Sequence, residues 1–440
     1  MDRDGYARLR EWKNKAERKP LIVSGARQVG KTWLMDDFAR KEYAQTVRLS
    51  LNEDEELGRI IFPDRSAHNI VRRLEIHTGS PLDPASTLIV FDEIQEVPNA
   101  LASLKSFAET APEYHVMAAG SLLGLAVHEG ASFPVGKVEF TDLYPLTFSE
   151  FLRAVGQGSL DDLLRNGSLQ DRQAFHPRLL EWLSMYDIVG GMPEAVTKFV
   201  ATGSPHTARV VQEEILRAYD LDVSKHAPLE LVPRIRKVFS SIAVQLGQEK
   251  KRFVYSHIEP GARARSYEMA IQWLIDAGVV YQVNRVSTPH VPLKAYTDTA
   301  AFKLYMLDVG LLGALAGLTP KTVLDADSLY TEFRGSLAEQ HVLQELVAAV
   351  GVRPFYWTND RNAAEVDFLL DLDNTIVPVE VKSAANLRAR SLHAFMERFS
   401  PEHVVRASLT LPGAPGPITE LPLYDTAQLR KRLTEQPSLS

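Results

Sequence analysis

The 440-residue chain contains no cysteine, which excludes disulfide staples, thiolate zinc sites and cysteine nucleophiles together. Any metal must therefore sit on oxygen or imidazole ligands. The 12 histidines are scattered without His-Glu-x-x-His or comparable ligand spacing, so structural or exposed roles account for them better than metal binding does. There is no Gly-x-Ser-x-Gly elbow and hence no case for a serine hydrolase. Uncharged apolar runs stay short of the roughly 18 residues that cross a bilayer. The opening segment MDRDGYARLREWKNKAERKP has no apolar stretch behind its charges. These absences predict a cytoplasmic protein without a membrane partner. The chain also lacks a long polar, aromatic-poor segment of the kind that stays disordered.

Hydrophobic residues make up 45% of the chain and charged residues 24%, which is ordinary globular usage and predicts that most of it folds. The length predicts about two to four domains. A net charge of −7 argues against a surface that is basic throughout, while leaving room for a local cationic face on one domain.

The segment Pro20 to Ala39, PLIVSGARQVGKTWLMDDFA, reads as a short apolar strand, a glycine-bearing loop, and a helix with Leu34 and Phe38 on one face. In the loop, Gly25, Ala26, Arg27, Gln28, Val29, Gly30, Lys31 and Thr32 fill the pattern Gly-x-x-x-x-Gly-Lys-Ser/Thr. Backbone N–H groups and the following helix N-terminus cradle phosphates in such a loop. The expected ligand is ATP with Mg²⁺, Lys31 reaching the β- and γ-phosphates and Thr32 the metal. A partner acid is predicted in Thr87 to Glu93, TLIVFDE, a buried-type strand ending in two carboxylates. At the C-terminal end of a parallel strand, Asp92 would hold Mg²⁺ through water and Glu93 would orient or deprotonate the attacking water. A further strand, HVMAAGS from His115, ends in Ser121, which is a candidate γ-phosphate sensor or an ordinary turn serine.

Taken with LYPLTFSEFL (Leu143 to Leu152), VGGMPEAV (Val189 to Val196) and KLYMLDVGLLGAL (Lys303 to Leu315), these motifs resemble a family of prokaryotic AAA-type ATPases that carry a C-terminal domain of unknown function. The resemblance spans nearly the whole chain. It implies an α/β fold with an AAA+ P-loop core, a helical lid, a winged-helix module and a restriction-endonuclease-like end. The expected boundaries are 1–158 for the core, 159–227 for the lid, 228–300 for the winged helix and 301–440 for the nuclease-like domain. One departure concerns the segment before LYPL, where the family has Gly-Arg and this chain has Gly136-Lys137. Lysine lacks the bidentate fork of arginine, so an arginine finger is not assigned here.

Between Ser159 and Ser224 the apolar residues recur at three- and four-residue spacing, which predicts the helices of a lid. Gly190-Gly191 followed by Pro193 predicts a bend, either near the nucleotide or as simple punctuation. From Pro228 to Val286 a helix is followed by a second one carrying Ile271, Leu274 and Ile275 and then by a strand from Val279, the order of a helix–turn–helix with a wing. Lys250, Lys251, Arg252, Arg263 and Arg265 would give this module a cationic rim for phosphates. Packing against the ATPase core is the alternative use of the same module.

Past Arg334-Gly335 the order is a helix carrying Glu339, three strands, a helix and a strand. Strand side chains repeat every two residues, so Asp367 faces the side of its strand shared by Glu365, and Glu380 that shared by Lys382. Asp367 with Glu380-Val381-Lys382 fits the acid-then-Asp/Glu-x-Lys pattern of restriction-endonuclease-like folds. Glu339, Asp367 and Glu380 are candidate ligands for Mg²⁺ or Mn²⁺, and Lys382 the group that activates water or stabilises the phosphate.

The sequence therefore predicts an ATPase coupled to a DNA-directed module with metal-dependent nuclease activity. The alternative is an ATP-dependent switch whose C-terminal domain grips DNA or a protein without cutting, and a third reading is a DNA-binding regulator whose affinity ATP sets. Assembly into a homo-oligomer stands as an open alternative to a monomer.

Overall fold

The computed structural model describes residues 1–120, 133–324, 331–359, 364–383, 390–411 and 416–435. The chain divides into two compact units. One comprises Asp2–Tyr144 with Asp276–Gly278, and the other Pro145–Ile275 and Val279–Ser440 with Met1.

The first unit is built on a five-stranded sheet in the order β2-β3-β4-β1-β5. The strands are β1 (Leu21–Ser24), β2 (Gln45–Ser50), β3 (Thr87–Asp92), β4 (His115–Gly120) and β5 (Glu139–Asp142), and every pairing is parallel. The hydrophobic pattern explains the order. TLIVFD in β3 is buried along its whole length, whereas β2 and β5 alternate between inward and outward residues. Strands covered on both faces need continuous apolar runs, and edge strands do not. Helices Ala67–Thr78 and Pro98–Thr110 supply Ile70, Leu74, Leu101, Leu104 and Phe107 to one core with Ile89, Phe91 and Val116. The helix Lys31–Glu42 buries Leu34 and Phe38, as their spacing predicts, together with Met35.

The second unit begins with a helix Phe148–Ala154 closed by a reciprocal capping box between Thr147 and Glu150. Helices His176–Val189, Pro193–Thr202, Pro205–His226 and Val232–Leu246 follow. At Gly190, φ is +68 and a Cβ would lie 2.2 Å from Asp308 Oδ1. Asp308 Oδ2 also accepts from the Gly191 N–H at 2.6 Å. The predicted bend is thus a close-packed joint inside this unit that only glycine allows.

A seven-stranded mixed sheet runs β12-β11-β10-β9-β8-β6-β7. Its strands are β6 (Val280–Val286), β7 (Thr297–Met306), β8 (Phe355–Thr358), β9 (Glu365–Leu372), β10 (Thr375–Lys382), β11 (Val405–Ser408) and β12 (Thr419–Pro422). β9 and β10 form a hairpin whose two connecting residues, Asp373 and Asn374, have φ of 52 and 67. Asp and Asn tolerate this conformation, which matches the twist of the strands. The strand expected to begin a wing is β6, the first strand of an antiparallel hairpin with β7, and β6 also pairs in parallel with β8. The hairpin is therefore continuous with the C-terminal sheet, and the expected boundary at residue 300 falls within β7.

The helix Thr331–Glu345, extended by a π-helical segment Leu346–Val350, buries polar residues along with its apolar stripe. Each of them has a task. The Gln340 amide accepts from Met306 N at 2.9 Å and donates to Met306 O at 2.7 Å, serving the outer side of β7 as a neighbouring strand would. Gln344 accepts from Val309 N, Glu345 from Phe148 N, and Ser336 donates to Leu246 O. Buried polar networks of this kind help to specify one arrangement of the elements they join. Among the described residues, no helix is long and apolar enough to cross a membrane.

Candidate functional site

The chain leaves β1 through Gly25, which has φ +145. A Cβ at this position would meet the Leu143 carbonyl oxygen at 2.2 Å, so a side chain cannot be accommodated. Gln28 and Gly30 follow with φ of 66 and 92, and left-handed residues in such a loop shape an anion-binding nest. Gly30 caps the helix Lys31–Glu42 without a side-chain hydrogen bond. A helix start of that kind leaves its leading N–H groups to a ligand. Behind the loop, the buried Arg3 donates to Val29 O at 3.0 Å and to Tyr144 O at 2.6 Å.

Lys31 is 7% exposed, and its Nζ donates to the carbonyl oxygens of Gly25 and Ala26, both at 2.8 Å. Burial pulls the Lys31 ammonium down to about 8, and the charges of Glu93 and then Asp92 act against that fall. Thr32 Oγ1 donates to Asp92 Oδ2 at 2.9 Å. Asp92 is 5% exposed, and its Oδ1 accepts from Glu93 N at 3.1 Å. Arg48, from the end of β2, reaches Asp92 Oδ2 at 2.6 Å and Asp36 Oδ2 at 3.0 Å. Glu93 turns through φ 49 immediately after β3, and its carboxylate accepts from Gln95 Nε2 at 2.7 Å.

Sheet order explains how loop and acids meet. β4 lies between β1 and β3, and it brings only Ala118, Ala119 and Gly120 to this end. These small residues leave that end of β4 without bulky side chains between the loop after β1 and the acids after β3. Lys31, Thr32, Asp92 and Glu93 are thus brought together, with Gly25 to Gly30 as the backbone wall. Ser121 lies outside the described residues. Lys137 makes an ion pair with Glu109 at 2.9 Å. Arg3 and Arg48 were missed by sequence reasoning. An arginine beside a loop in space but remote in sequence carries no motif.

A divalent ion fits the donor set at the loop. Thr32 spends its hydrogen on Asp92, which leaves oxygen lone pairs facing away from that bond, and hard oxygen donors suit Mg²⁺.

The second cluster is formed within the C-terminal unit. Glu339 ion-pairs with Lys251, accepts from Tyr305 OH at 2.8 Å, and lies 3.7 Å from Lys303 Nζ. Lys303 is fully buried on β7 and pairs with Glu365 at 2.6 Å. Asp367 Oδ2 accepts from Val381 N at 2.8 Å, and Lys382 Nζ bonds Glu380 Oε1 at 2.6 Å. Burial would raise the Glu339 carboxyl, but Lys251 and Lys303 overcome it and bring it to about 2. Asp367 is pushed well up by burial and by the charges of Glu339 and Glu380. Burial also raises Glu380, against the pull of Lys382.

The predicted carboxylates therefore do converge, but in company that sequence reasoning did not foresee. Lys251, expected on a phosphate-facing rim, is bonded to Glu339 instead. Lys303 could have been suspected from a lysine set in the apolar run AFKLYML. Among the described residues, no group of three or more His, Asp or Glu has the arrangement of a metal site. Glu380 Oε2 is buried without a hydrogen-bond partner, and the charge of Glu380 is among the causes that raise the Asp367 carboxyl.

Comparison with known proteins agrees with the loop geometry. Residues 17–152 match a family described as an AAA domain. Residues 180–322 and 334–414 match two families described as domains of unknown function (DUF8612 and DUF4143). Over 392 residues the chain is 24% identical to an uncharacterised protein of Mycobacterium tuberculosis and to one of Mycobacterium bovis, covering 86% of this chain and 73% of each relative. Among solved structures, the Walker-type ATPase PABY2304 of Pyrococcus abyssi aligns over 71% of this chain and 95% of its own, at 14% identity and a TM-score of 0.46. The Aeropyrum pernix ORC1 protein in complex with DNA aligns over 71% and 91%, at 14% identity and a TM-score of 0.31.

Proposed function

We propose that the chain binds Mg·ATP at the Gly25 to Thr32 loop and hydrolyses it. The observation that supports this most directly is the 2.9 Å bond from Thr32 to Asp92, formed beside a buried Lys31. Mg²⁺ at this site would supply positive charge that offsets the charge of the phosphates. Thr32 and Asp92 would hold it. Lys31 would exchange its bonds to Gly25 O and Ala26 O for phosphate oxygens, and the new negative charge would restore its full protonation. Glu93, held by Gln95, would accept the proton of the attacking water. ATP hydrolysis by the full chain, with Lys31→Ala and Glu93→Gln beside it, tests this. Phosphate release at the same rate by the native chain and both variants would overturn the assignment.

A second reading concerns the C-terminal unit, with metal-assisted phosphodiester cleavage of DNA at Asp367, Glu380 and Lys382. Its support is the unpartnered Glu380 Oε2 and the charge of Glu380 that helps to raise the Asp367 carboxyl. Lys382 would stabilise charge on the phosphate, and Glu339 would remain the counterion of Lys251 and Lys303. Supercoiled and single-stranded DNA, incubated with Mg²⁺ or Mn²⁺ with and without ATP, provide the test. Nicking that Lys382→Ala abolishes supports cleavage. No nicking alongside intact ATP hydrolysis supports an ATP-dependent switch whose C-terminal unit binds without cutting.

A further inference from the structure

Arg48 has no part in the loop motif or the acid pair, yet it touches the centre of the nucleotide site. Its guanidinium bridges two carboxylates on different elements, Asp92 at the end of β3 and Asp36 on the helix that follows the loop, at 2.6 and 3.0 Å. Asp92 Oδ2 is shared between Arg48 and Thr32 Oγ1. β2 is the outer neighbour of β3, with Ser50 paired to Asp92, so the side chain of Arg48 arrives from the edge of the sheet. The side chain of Arg48 is 31% exposed, that of Asp36 47% and that of Asp92 8%. The arm to Asp36 is solvent-open and contributes little to stability, whereas the arm to Asp92 sets the guanidinium against a buried carboxylate of the site. Burial and the charge of Asp92 raise the Asp36 carboxyl, with Arg48 acting against them, which places the two acids within repelling reach of each other.

We propose that Arg48 is a specificity-determining residue of the nucleotide site, which sets how strongly binding depends on the metal. This rests on the ATP reading of the loop. An incoming polyphosphate meets Asp36 and Asp92 as like charges beside its terminal phosphates. Mg²⁺ cancels that repulsion when it accompanies the nucleotide. Arg48 bonds both carboxylates, and its planar fork can hold the two at once where a lysine would hold one. Removing Arg48 should therefore penalise metal-free nucleotide far more than the metal complex, and the two affinities should separate.

The test is calorimetric titration of the full chain with the non-hydrolysable imido analogue of ATP, once with Mg²⁺ and once with EDTA. In Arg48→Ala the ratio of the two dissociation constants should widen by about tenfold, the size expected for unscreened like charges at close range. Arg48→Lys, which keeps the charge and loses the fork, should widen it by less. Asp36→Asn added to Arg48→Ala should narrow it again. An unchanged ratio in Arg48→Ala, or an equal loss with and without metal, overturns the proposal. If the native chain binds the analogue under neither condition, the ATP reading itself fails and the role of Arg48 fails with it.

Discussion

Thr32 Oγ1 donates a hydrogen bond to Asp92 Oδ2 at 2.9 Å, joining residues 60 positions apart on a helix start and a strand end. The bond orients both oxygens before any ligand arrives, and preorganised groups cost nothing to reorient when the reaction occurs. Thr32→Ala and Asp92→Asn should each lower ATP turnover by about 100-fold or more. Thr32→Ser keeps the hydroxyl and should stay within a few-fold of the native rate. Steady-state hydrolysis at saturating ATP measures all three.

Lys31 yields a pH signature. Its pKa falls from the ordinary 10.5 to about 8 because the ammonium is buried. With the folded value below the unfolded one, the contribution of this group to stability is complete above pH 10.5 and is lost as pH falls through 8. The denaturant midpoint of the native chain relative to Lys31→Met should therefore rise between about pH 8 and pH 10.5. Phosphate binding should reverse the shift, so nucleotide binding near pH 8 should take up a proton. Titrations in buffers of different ionisation enthalpy should detect that uptake in the native chain and miss it in Lys31→Met.

Gly25 and Gly136 form a controlled pair. Both have positive φ, but a Cβ on Gly25 meets Leu143 O at 2.2 Å and one on Gly136 meets nothing within 4 Å. Gly136→Ala should cost about 1 kcal/mol, the strain of a left-handed alanine. Gly25→Ala should cost about 3 kcal/mol or more and remove nucleotide binding, because the backbone must also move. Chemical denaturation of the two variants separates strain from clash.

The C-terminal acids should respond in opposite directions. Glu339→Gln removes the counterion of Lys251 and Lys303, and unpairing buried charge should cost about 3 kcal/mol. That contribution of Glu339 is present above pH 4.5 and is lost as pH falls through about 2. Asp367→Asn removes a charge opposed by burial and by both neighbouring acids while keeping an acceptor for Val381 N. It should leave stability unchanged or raise it by about 1 kcal/mol, as removal of crowded site residues often does. Denaturant unfolding at neutral pH checks both.

The nucleotide site was largely legible in the sequence because its parts are local. GARQVGKT carries the turn, Lys31 and Thr32 within one stretch of chain, and TLIVFDE carries a buried strand and its acids in another. Covalent spacing and strand periodicity act over such distances without help from the rest of the fold. Asp367, Glu380 and Lys382 were legible for the same reason, since alternation along β9 and β10 sets which side each faces.

What the tertiary structure alone decided was the company these residues keep. β4 between β1 and β3, Arg48 arriving from β2, and Arg3 behind Val29 follow from strand order, on which local spacing says nothing. The same holds for Lys251 and Lys303, which join Glu339 from a loop and an edge hairpin far away in sequence. A charge in a strand announces that it needs a partner, because burying it alone is too costly. Which partner it finds depends on how distant segments pack, and only the folded chain brings those segments together.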